Sequence, residues 1–413
     1  MYFLYRILIK GYFKLLKFAA YFRTDARQWL EGRKNISSHF KNSKTFNSQK
    51  KSIWIHAASL GEFEQGRPLI ELIKKNYPDQ QIVLTFFSPS GFEIQKNYTL
   101  ADVVTYFLSD LKDDADEMIT LINPALVIFI KYEFWFNTLT ALDNKAIPVI
   151  FISAIFRENS YLFSSYAKIL LNKLKNVNHL FLQNESSFIL LQDKKFTNIS
   201  IVGDTRMDRV LDIANQDYKN ERIEQFIGND KVLIFGSLWE EDLMVIKQDL
   251  LNCISQSWKI IIAPHKIDAD SIQKIESQLP NLCLRYSDSS QNLNDVLIID
   301  SIGILSKIYR YADFVYIGGG FGKGIHNILE ALAYLKPVAF GPNYQKFNEA
   351  NFAIEHQFAF EVKSQGDLLK IINQAKGKRL EEIKIEIGKY LNENKAASQK
   401  IIEYLQNQKL IPV

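Results

Sequence analysis

The run from Ala312 to Asn343 reads ADFVYIGGGFGKGIHNILEALAYLKPVAFGPN. An apolar stretch, Phe314 to Ile317, ends in Gly318-Gly319-Gly320. Gly322-Lys323-Gly324 and His326-Asn327 follow, then a helical pattern over Ile328–Leu335 that Pro337 stops. A glycine loop between a strand and a helix N-terminus suits a phosphate or another anion, because bare backbone N–H groups and the helix dipole both favour negative charge. Glu330, one turn into that helix, is placed to reach a sugar hydroxyl. The loop matches neither the P-loop, since Gly324 follows Lys323 where Ser or Thr belongs, nor the G-x-G-x-x-G dinucleotide pattern. A late glycine loop with a helix-borne Glu points to a nucleotide-sugar site.

Other candidates lie where apolar runs end. His56-Ala57-Ala58-Ser59-Leu60-Gly61-Glu62 follows the first such run. Glu62 suits a general base toward a hydroxyl; the competing reading is a capping box, Ser59-x-x-Glu62, with no chemistry. Gly61 favours the functional reading, because glycine lowers helix stability and is useful where a ligand approaches the backbone. In Lys131-Tyr132-Glu133-Phe134-Trp135, Glu133 reads equally as a sugar ligand and as a first-turn carboxylate favoured by the helix dipole. Ser88-Pro89-Ser90-Gly91 offers hydroxyls and a helix start to an anion, or simply a cap at Ser90. Gly236-Ser237 and Ala263-Pro264-His265-Lys266 end two further runs, where a nucleotide phosphate would lie.

No metal or other cofactor is expected. The six histidines are scattered, and the acid pairs Asp114/Asp116 and Asp268/Asp270 read better as helix-start carboxylates. Cys253 and Cys283 are too few for a disulfide framework. A net charge of +4, from 50 basic and 46 acidic residues, gives no case for nucleic acid as a partner.

These candidates need a scaffold that presents strand ends. Apolar runs alternate with helical patterns at Ile53–Ile55, Ile82–Phe86, Val103–Phe107, Leu126–Ile130, Val149–Ile152, Leu180–Leu182 and Ile199–Val202. They resume at Val232–Phe235, Ile260–Ala263, Leu282–Arg285, Val296–Ile299, Phe314–Ile317 and Val338–Phe340. That alternation predicts α/β architecture, two Rossmann-like doubly wound domains facing across a cleft. The expected boundaries are 36–211 and 231–394, a polar linker over 212–230, and a final helical segment, 395–413, returning to the first domain. Residues 1–35 read as an amphipathic segment. Arg6, Lys10, Lys14 and Lys17 share one face, with Leu4, Leu8, Leu15 and Phe22 opposite. Charges interrupt it too often for a spanning helix or a signal peptide, so the expectation is an anchor on an anionic membrane surface.

Taken in order, these motifs resemble the 3-deoxy-D-manno-octulosonic acid (Kdo) transferases, glycosyltransferase family 30, over most of the chain. The resemblance implies a GT-B fold, CMP-Kdo as donor and a lipid A precursor as acceptor, without a metal, at the cytoplasmic face of the inner membrane. It places the family's general base on Glu62 and its second acidic residue on Glu133. Its nucleotide-binding stretch falls on Gly324 through Glu330, with Ile325 in place of a second glycine. Donor binding is thereby expected at Gly236, Ser237, His265, Lys266, Gly319, Gly320, Lys323, Gly324, His326, Asn327 and Glu330. Acceptor or donor-sugar contacts are expected at Ser59, Gly61, Ser88, Ser90 and Gly91. The chain departs from the family where Ala263 replaces the proline and Pro264 the arginine of a Pro-Arg-His motif; Lys266 or Lys323 then carries the charge at the phosphate. Ala331 also replaces a proline, and Lys131 an acidic residue. Two other readings fit the same architecture. One is a nucleotide-sugar epimerase or another lipid-directed glycosyltransferase; the other is a non-catalytic sugar-nucleotide-binding membrane protein.

Overall fold

A computed structural model describes residues 2–164, 167–288 and 294–411. The chain divides into two compact units, Met1–Asp208 with Asn394–Val413, and Arg209–Glu393.

The first unit holds a seven-stranded parallel sheet: β1 (Ser52–Ala57), β2 (Gln81–Phe86), β3 (Val103–Tyr106), β4 (Pro124–Ile130), β5 (Val149–Ala154), β6 (His179–Leu182) and β7 (Ile199–Ile201), in the order 3-2-1-4-5-6-7. Helices cover both faces, so the central strands are apolar throughout rather than alternating. The two faces still differ. Ile53, Ile55, Leu84, Ile128 and Ile152 pack beneath the helix Leu60–Asn76 and the closing helix Ala397–Asn407. Trp54, Phe129 and Phe151 point the other way, into an aromatic layer. The closing helix contributes Ile401, Ile402 and Leu405, all fully buried, each worth roughly 1.5–3 kcal/mol.

The second unit repeats the plan with β8 (Lys231–Leu238), β9 (Trp258–Pro264), β10 (Cys283–Arg285), β11 (Val296–Ile298), β12 (Phe314–Ile317), β13 (Val338–Phe340) and β14 (Ala359–Glu361), in the order 10-11-9-8-12-13-14. β14 is a three-residue edge strand whose sequence lacks a strand-like run. The order reverses between β1 and β4 in the first sheet and between β8 and β12 in the second, where β11 also lies between β10 and β9. Such reversals open a crevice at the strands' carboxyl ends, where α/β sheets bind ligands.

Some expectations change. The stretch 212–230 is not an open linker. It holds the end of the helix Arg206–Asn215 and a second helix, Glu221–Ile227, which Asn220 caps through Ile223 N–H at 3.1 Å. The unit boundary falls earlier, at Asp208. Between β5 and β6 lie a 3-10 turn, Tyr161–Phe163, and the helix Lys168–Lys175.

The N-terminal segment is not an appendage either. Its helix, Tyr2–Ala19, docks on the first unit through Phe13, which stacks on Trp29 at 5.6 Å, and Tyr5, whose hydroxyl donates to Asp110 at 2.5 Å. The next helices, Thr24–Glu31 and Ile36–Asn42, bury Trp29, Ile36 and Phe40. Leu8, Leu15, Phe18 and Phe22 remain 63–77% exposed on the undocked side. The side chain of Leu4 lies outside the described residues. No described helix is long and apolar enough to cross a membrane.

Candidate active site

In the first unit the order reversal brings together the residues after β1 and β4. Glu62 sits in the first turn of the helix Leu60–Asn76 and turns its carboxylate back to accept the Ala58 N–H at 2.5 Å. The Ser59 hydroxyl makes no reciprocal capping bond, so the capping box is only half built. Burial, then the charge of Glu133, push the Glu62 carboxyl up to about 7. A carboxyl so placed is about half ionised near neutrality, and its carboxylate form is basic enough to take a proton there.

Glu133 lies ahead of its helix, Phe136–Asn144, rather than in its first turn. Its Oε2 accepts the Trp135 indole N–H at 2.8 Å and faces His56 Nε2 at 3.2 Å. His56 is fully buried on β1, with its Nδ1 2.9 Å from the Thr85 hydroxyl. That hydroxyl accepts the Trp54 indole N–H at 2.8 Å. The Glu133 carboxylate only accepts, so the His56 proton lies on Nε2, directed at Glu133, while the Thr85 hydroxyl sits between His56 Nδ1 and the Ile55 carbonyl, the latter at 3.5 Å. The chain Trp54–Thr85–His56–Glu133 thereby fixes Glu133 as an acceptor, and Glu133 in turn acts on Glu62. Lys131, at the end of β4, is held at φ 63°, a left-handed conformation of the kind that gathers at functional sites.

The β2 loop reads differently from expectation. Ser88, not Ser90, is the cap of the helix Pro89–Gln95, accepting the Ser90 N–H at 3.3 Å. Gly91 is there for packing: a Cβ would lie 2.3 Å from the Phe86 ring. Gly61 has open space instead, with nothing within 4 Å of a Cβ.

In the second unit the reversal brings the β8 and β12 loops together, but the three glycines are not an open anion cradle. Gly318, Gly319 and Gly320 are buried. A Cβ on Gly318 would meet the Ser237 carbonyl at 2.2 Å, and one on Gly320 the Gly341 nitrogen at 2.4 Å. Gly319 N–H donates to Asp242 at 2.6 Å and Phe321 N–H at 3.3 Å; Tyr316 and the Trp239 N–H bind the same carboxylate. Gly236 backs onto the Tyr309 hydroxyl, at 1.8 Å from its Cβ position. These glycines let backbones touch and so shape the crevice from behind.

What remains for a ligand is further along. Lys266 and Lys323 are exposed and lie near enough to His265 to help lower its pKa, after burial. His265 stacks on Trp239 with centroids 4.1 Å apart and sits 4.8 Å from His326. Burial, then His265, hold His326 down to about 4. Gly324, at φ 130°, turns the chain toward Asn327, whose side chain accepts the Leu329 N–H at 3.1 Å and donates to Glu330 at 3.2 Å. The helix there is short, Leu329–Leu332. Ser237 carries a left-handed φ of 52° at the β8 end. Two neutral imidazoles, an indole and two exposed lysines suit a planar base and a single phosphate.

Sequence reasoning missed Asp242, Trp239, Thr85 and Trp54. Glu240, Glu241 and Asp242 read alike as first-turn acids, and only the fold turns Asp242 inward. Thr85 and Trp54 look like ordinary strand residues until the register pairs His56 with Thr85. Among the described residues no cluster of three His, Cys, Asp or Glu is placed to hold a metal ion.

Residues 34–209 match the family model of the 3-deoxy-D-manno-octulosonic-acid transferase, kdotransferase. A Rickettsia bellii 3-deoxy-D-manno-octulosonic acid transferase is 25% identical over 402 residues, 90% of this chain and 91% of that protein. Over most of its length the chain is similar to Kdo transferases. The Chlamydia trachomatis serovar D Kdo transferase is 24% identical over 376 residues, covering 86% of this chain and 85% of its own. A Fusobacterium nucleatum bifunctional glycosyltransferase/methyltransferase is 25% identical over 392 residues, but the chain spans only 59% of its length. Among solved structures, UDP-GlcNAc 2-epimerase from Neisseria meningitidis superposes with a TM-score of 0.59 at 15% identity, over 87% of this chain and all of that one. That likeness shows the fold, a GT-B-like pair of doubly wound units, and the Kdo transferase resemblance in sequence is the stronger functional guide.

Proposed function

We propose that this chain is a glycosyltransferase that moves Kdo from CMP-Kdo onto a lipid A precursor in lipopolysaccharide biosynthesis, without a metal, at the cytoplasmic face of the inner membrane. The observation that carries the reading is the Glu62–Glu133 pair at the order reversal of the first sheet, inside the region that matches the family model. Glu62 takes the proton of the acceptor hydroxyl as that oxygen attacks the anomeric carbon of Kdo, and CMP leaves from the opposite face, which inverts the configuration. His56 and Trp135 keep Glu133 in place, and its charge keeps Glu62 basic.

On the second unit Lys266 and Lys323 meet the donor's charges, with His265, His326 and Asn327 beside them. A monophosphate leaving group and one carboxylate need less neutralisation than a diphosphate, which lysines and N–H donors supply without a divalent ion. The lipid acceptor explains the exposed apolar stripe of the N-terminal helix and the basic stripe along its flank. Beside that helix a groove of about 900 Å³ combines Phe18, Tyr21 and Leu108 with Lys17, Arg27, Arg33 and Lys34, which outnumber the acidic Glu31 and Asp114 and so suit it to an anionic amphiphile.

The test is incubation with CMP-Kdo and a tetra-acylated lipid A precursor, with and without EDTA, read by product mass. A product heavier by one or more Kdo residues, unaffected by EDTA, is expected. No product with CMP-Kdo, or turnover of UDP-GlcNAc in its place, would contradict the reading.

A further inference from the structure

The indole of Trp239 donates its N–H to Nε2 of His326 at 2.9 Å. Indole nitrogen is a donor only, so Nε2 must present a lone pair. A neutral imidazole with Nε2 as acceptor carries its proton on Nδ1, whereas a protonated ring could not accept this bond at all. Among the described residues, the other hydrogen bond of His326 is made by its backbone, N–H to the Gly318 carbonyl at 3.2 Å. The same indole stacks on His265, so one side chain holds both rings. Trp239 is itself fixed at the helix start, where its backbone N–H binds the Asp242 carboxylate that also pins Gly319.

We propose that Trp239 is a positioning residue of the donor site, holding His326 as the neutral Nδ1–H tautomer so that Nδ1–H is the group offered to an oxygen of the bound nucleotide. This rests on the reading of the second unit as the donor site. The ring's low pKa, from burial and the neighbouring His265, agrees with a ring that stays neutral. The groups facing His326 and His265 are each other and, around His265, Lys266 and Lys323; all disfavour a further positive charge. The lysines then supply charge and His326 supplies a directed donor. Trp239 touches no reacting atom in this scheme.

The test reads tautomer and affinity separately. In the intact protein, the His326 side-chain nitrogen shifts should report Nδ1 protonated and Nε2 bare, and Trp239→Phe, which keeps a stacking ring but no N–H, should shift the ring toward the Nε2–H form. Affinity for CMP is the second readout. His326→Asn places its amide near Nδ1 and should retain binding, while His326→Gln places it near Nε2 and should weaken CMP binding about 10-fold, as the loss of one donor to a charged group does. An Nε2–H tautomer in the unmodified protein, or equal binding by the Asn and Gln variants, would overturn the proposal. If the unmodified protein fails to bind CMP at all, the donor-site reading fails, and the nitrogen shifts still decide whether Trp239 fixes the tautomer.

Discussion

Tyr5 and Asp110, 105 residues apart, join the N-terminal helix to the segment that carries Glu133: the Tyr5 phenol donates to an Asp110 carboxylate that also accepts the Asn137 and Thr138 N–H groups at 2.9 and 2.8 Å. Asn137 and Thr138 open the helix that directly follows Glu133 and Trp135. The helix with the exposed apolar stripe is thus part of the scaffold behind one carboxylate of the candidate pair. Tyr5→Phe should lower stability by about 1–3 kcal/mol, because a buried carboxylate loses a donor. Denaturant titration measures this; an unchanged midpoint would show that the contact contributes nothing.

The same docking dictates how membrane binding should be tested. Deleting residues 1–22 would strip Phe13 and Tyr5 from the fold as well as the surface stripe. Replacing Leu8, Leu15, Phe18 and Phe22 with serine leaves the docked side intact. That variant should melt like the parent and sediment poorly with anionic vesicles. Removing Lys10, Lys14 and Lys17 should weaken binding by about 1 kcal/mol each, and only where the vesicles are anionic. Undiminished sedimentation of the serine variant would exclude the stripe as the contact.

Glycine substitutions separate ligand-facing from packing positions. Gly61→Ala meets open space at a helix start and should be neutral or stabilising, by up to about 1 kcal/mol, while acceptor KM rises. Gly320→Ala and Gly91→Ala face clashes at 2.4 and 2.3 Å and should lower the melting temperature. Thermal melts with acceptor kinetics check all three; normal kinetics for Gly61→Ala would mean that no ligand approaches there.

Much of this was legible in the sequence, for a physical reason. Strands buried on both faces appear as continuous apolar runs, so thirteen of the fourteen strands among the described residues were visible, and loops at their carboxyl ends brought Glu62, Glu133, His265 and His326 into view. The short edge strand Ala359–Glu361 has no such run. The glycines misled because a bare backbone against a phosphate and a bare backbone against another backbone require the same residue. Only the contacts of Gly318 and Gly320 distinguish the two. The polar stretch 212–230 concealed a helix because a seven-residue helix needs just one buried side chain, Ile223. Thr85 and Asp242 act through register and inward rotation, which composition does not encode.

The raised pKa of Glu62 sets the pH behaviour. The base must be ionised, so kcat/KM should climb with pH through an apparent value near 7. Glu133→Gln removes a charge that raises Glu62 and should shift this limb to lower pH, besides lowering the rate. An unmoved limb would mean that the two carboxylates do not interact.

Stability runs in the opposite direction. A carboxyl whose folded pKa is raised from 4.5 to about 7 favours the fold below its unfolded value and loses that contribution as pH rises through the folded one. Keeping Glu62 ionised above pH 7 costs roughly 3 kcal/mol. Glu62→Gln should therefore be more stable than the parent at pH 8, by up to that amount, and indistinguishable from it near pH 4. Equal stability at both pH values would place the Glu62 pKa in the ordinary range.

The most direct test is the turnover of Glu62→Gln with CMP-Kdo and the lipid A precursor, measured beside its affinity for CMP. General-base catalysis is worth about 10²- to 10⁴-fold. The variant should fold, bind CMP like the parent, and turn over slower by that factor. Near-normal turnover per folded molecule, with a lowered melting temperature, would make Glu62 a helix cap and put the base elsewhere.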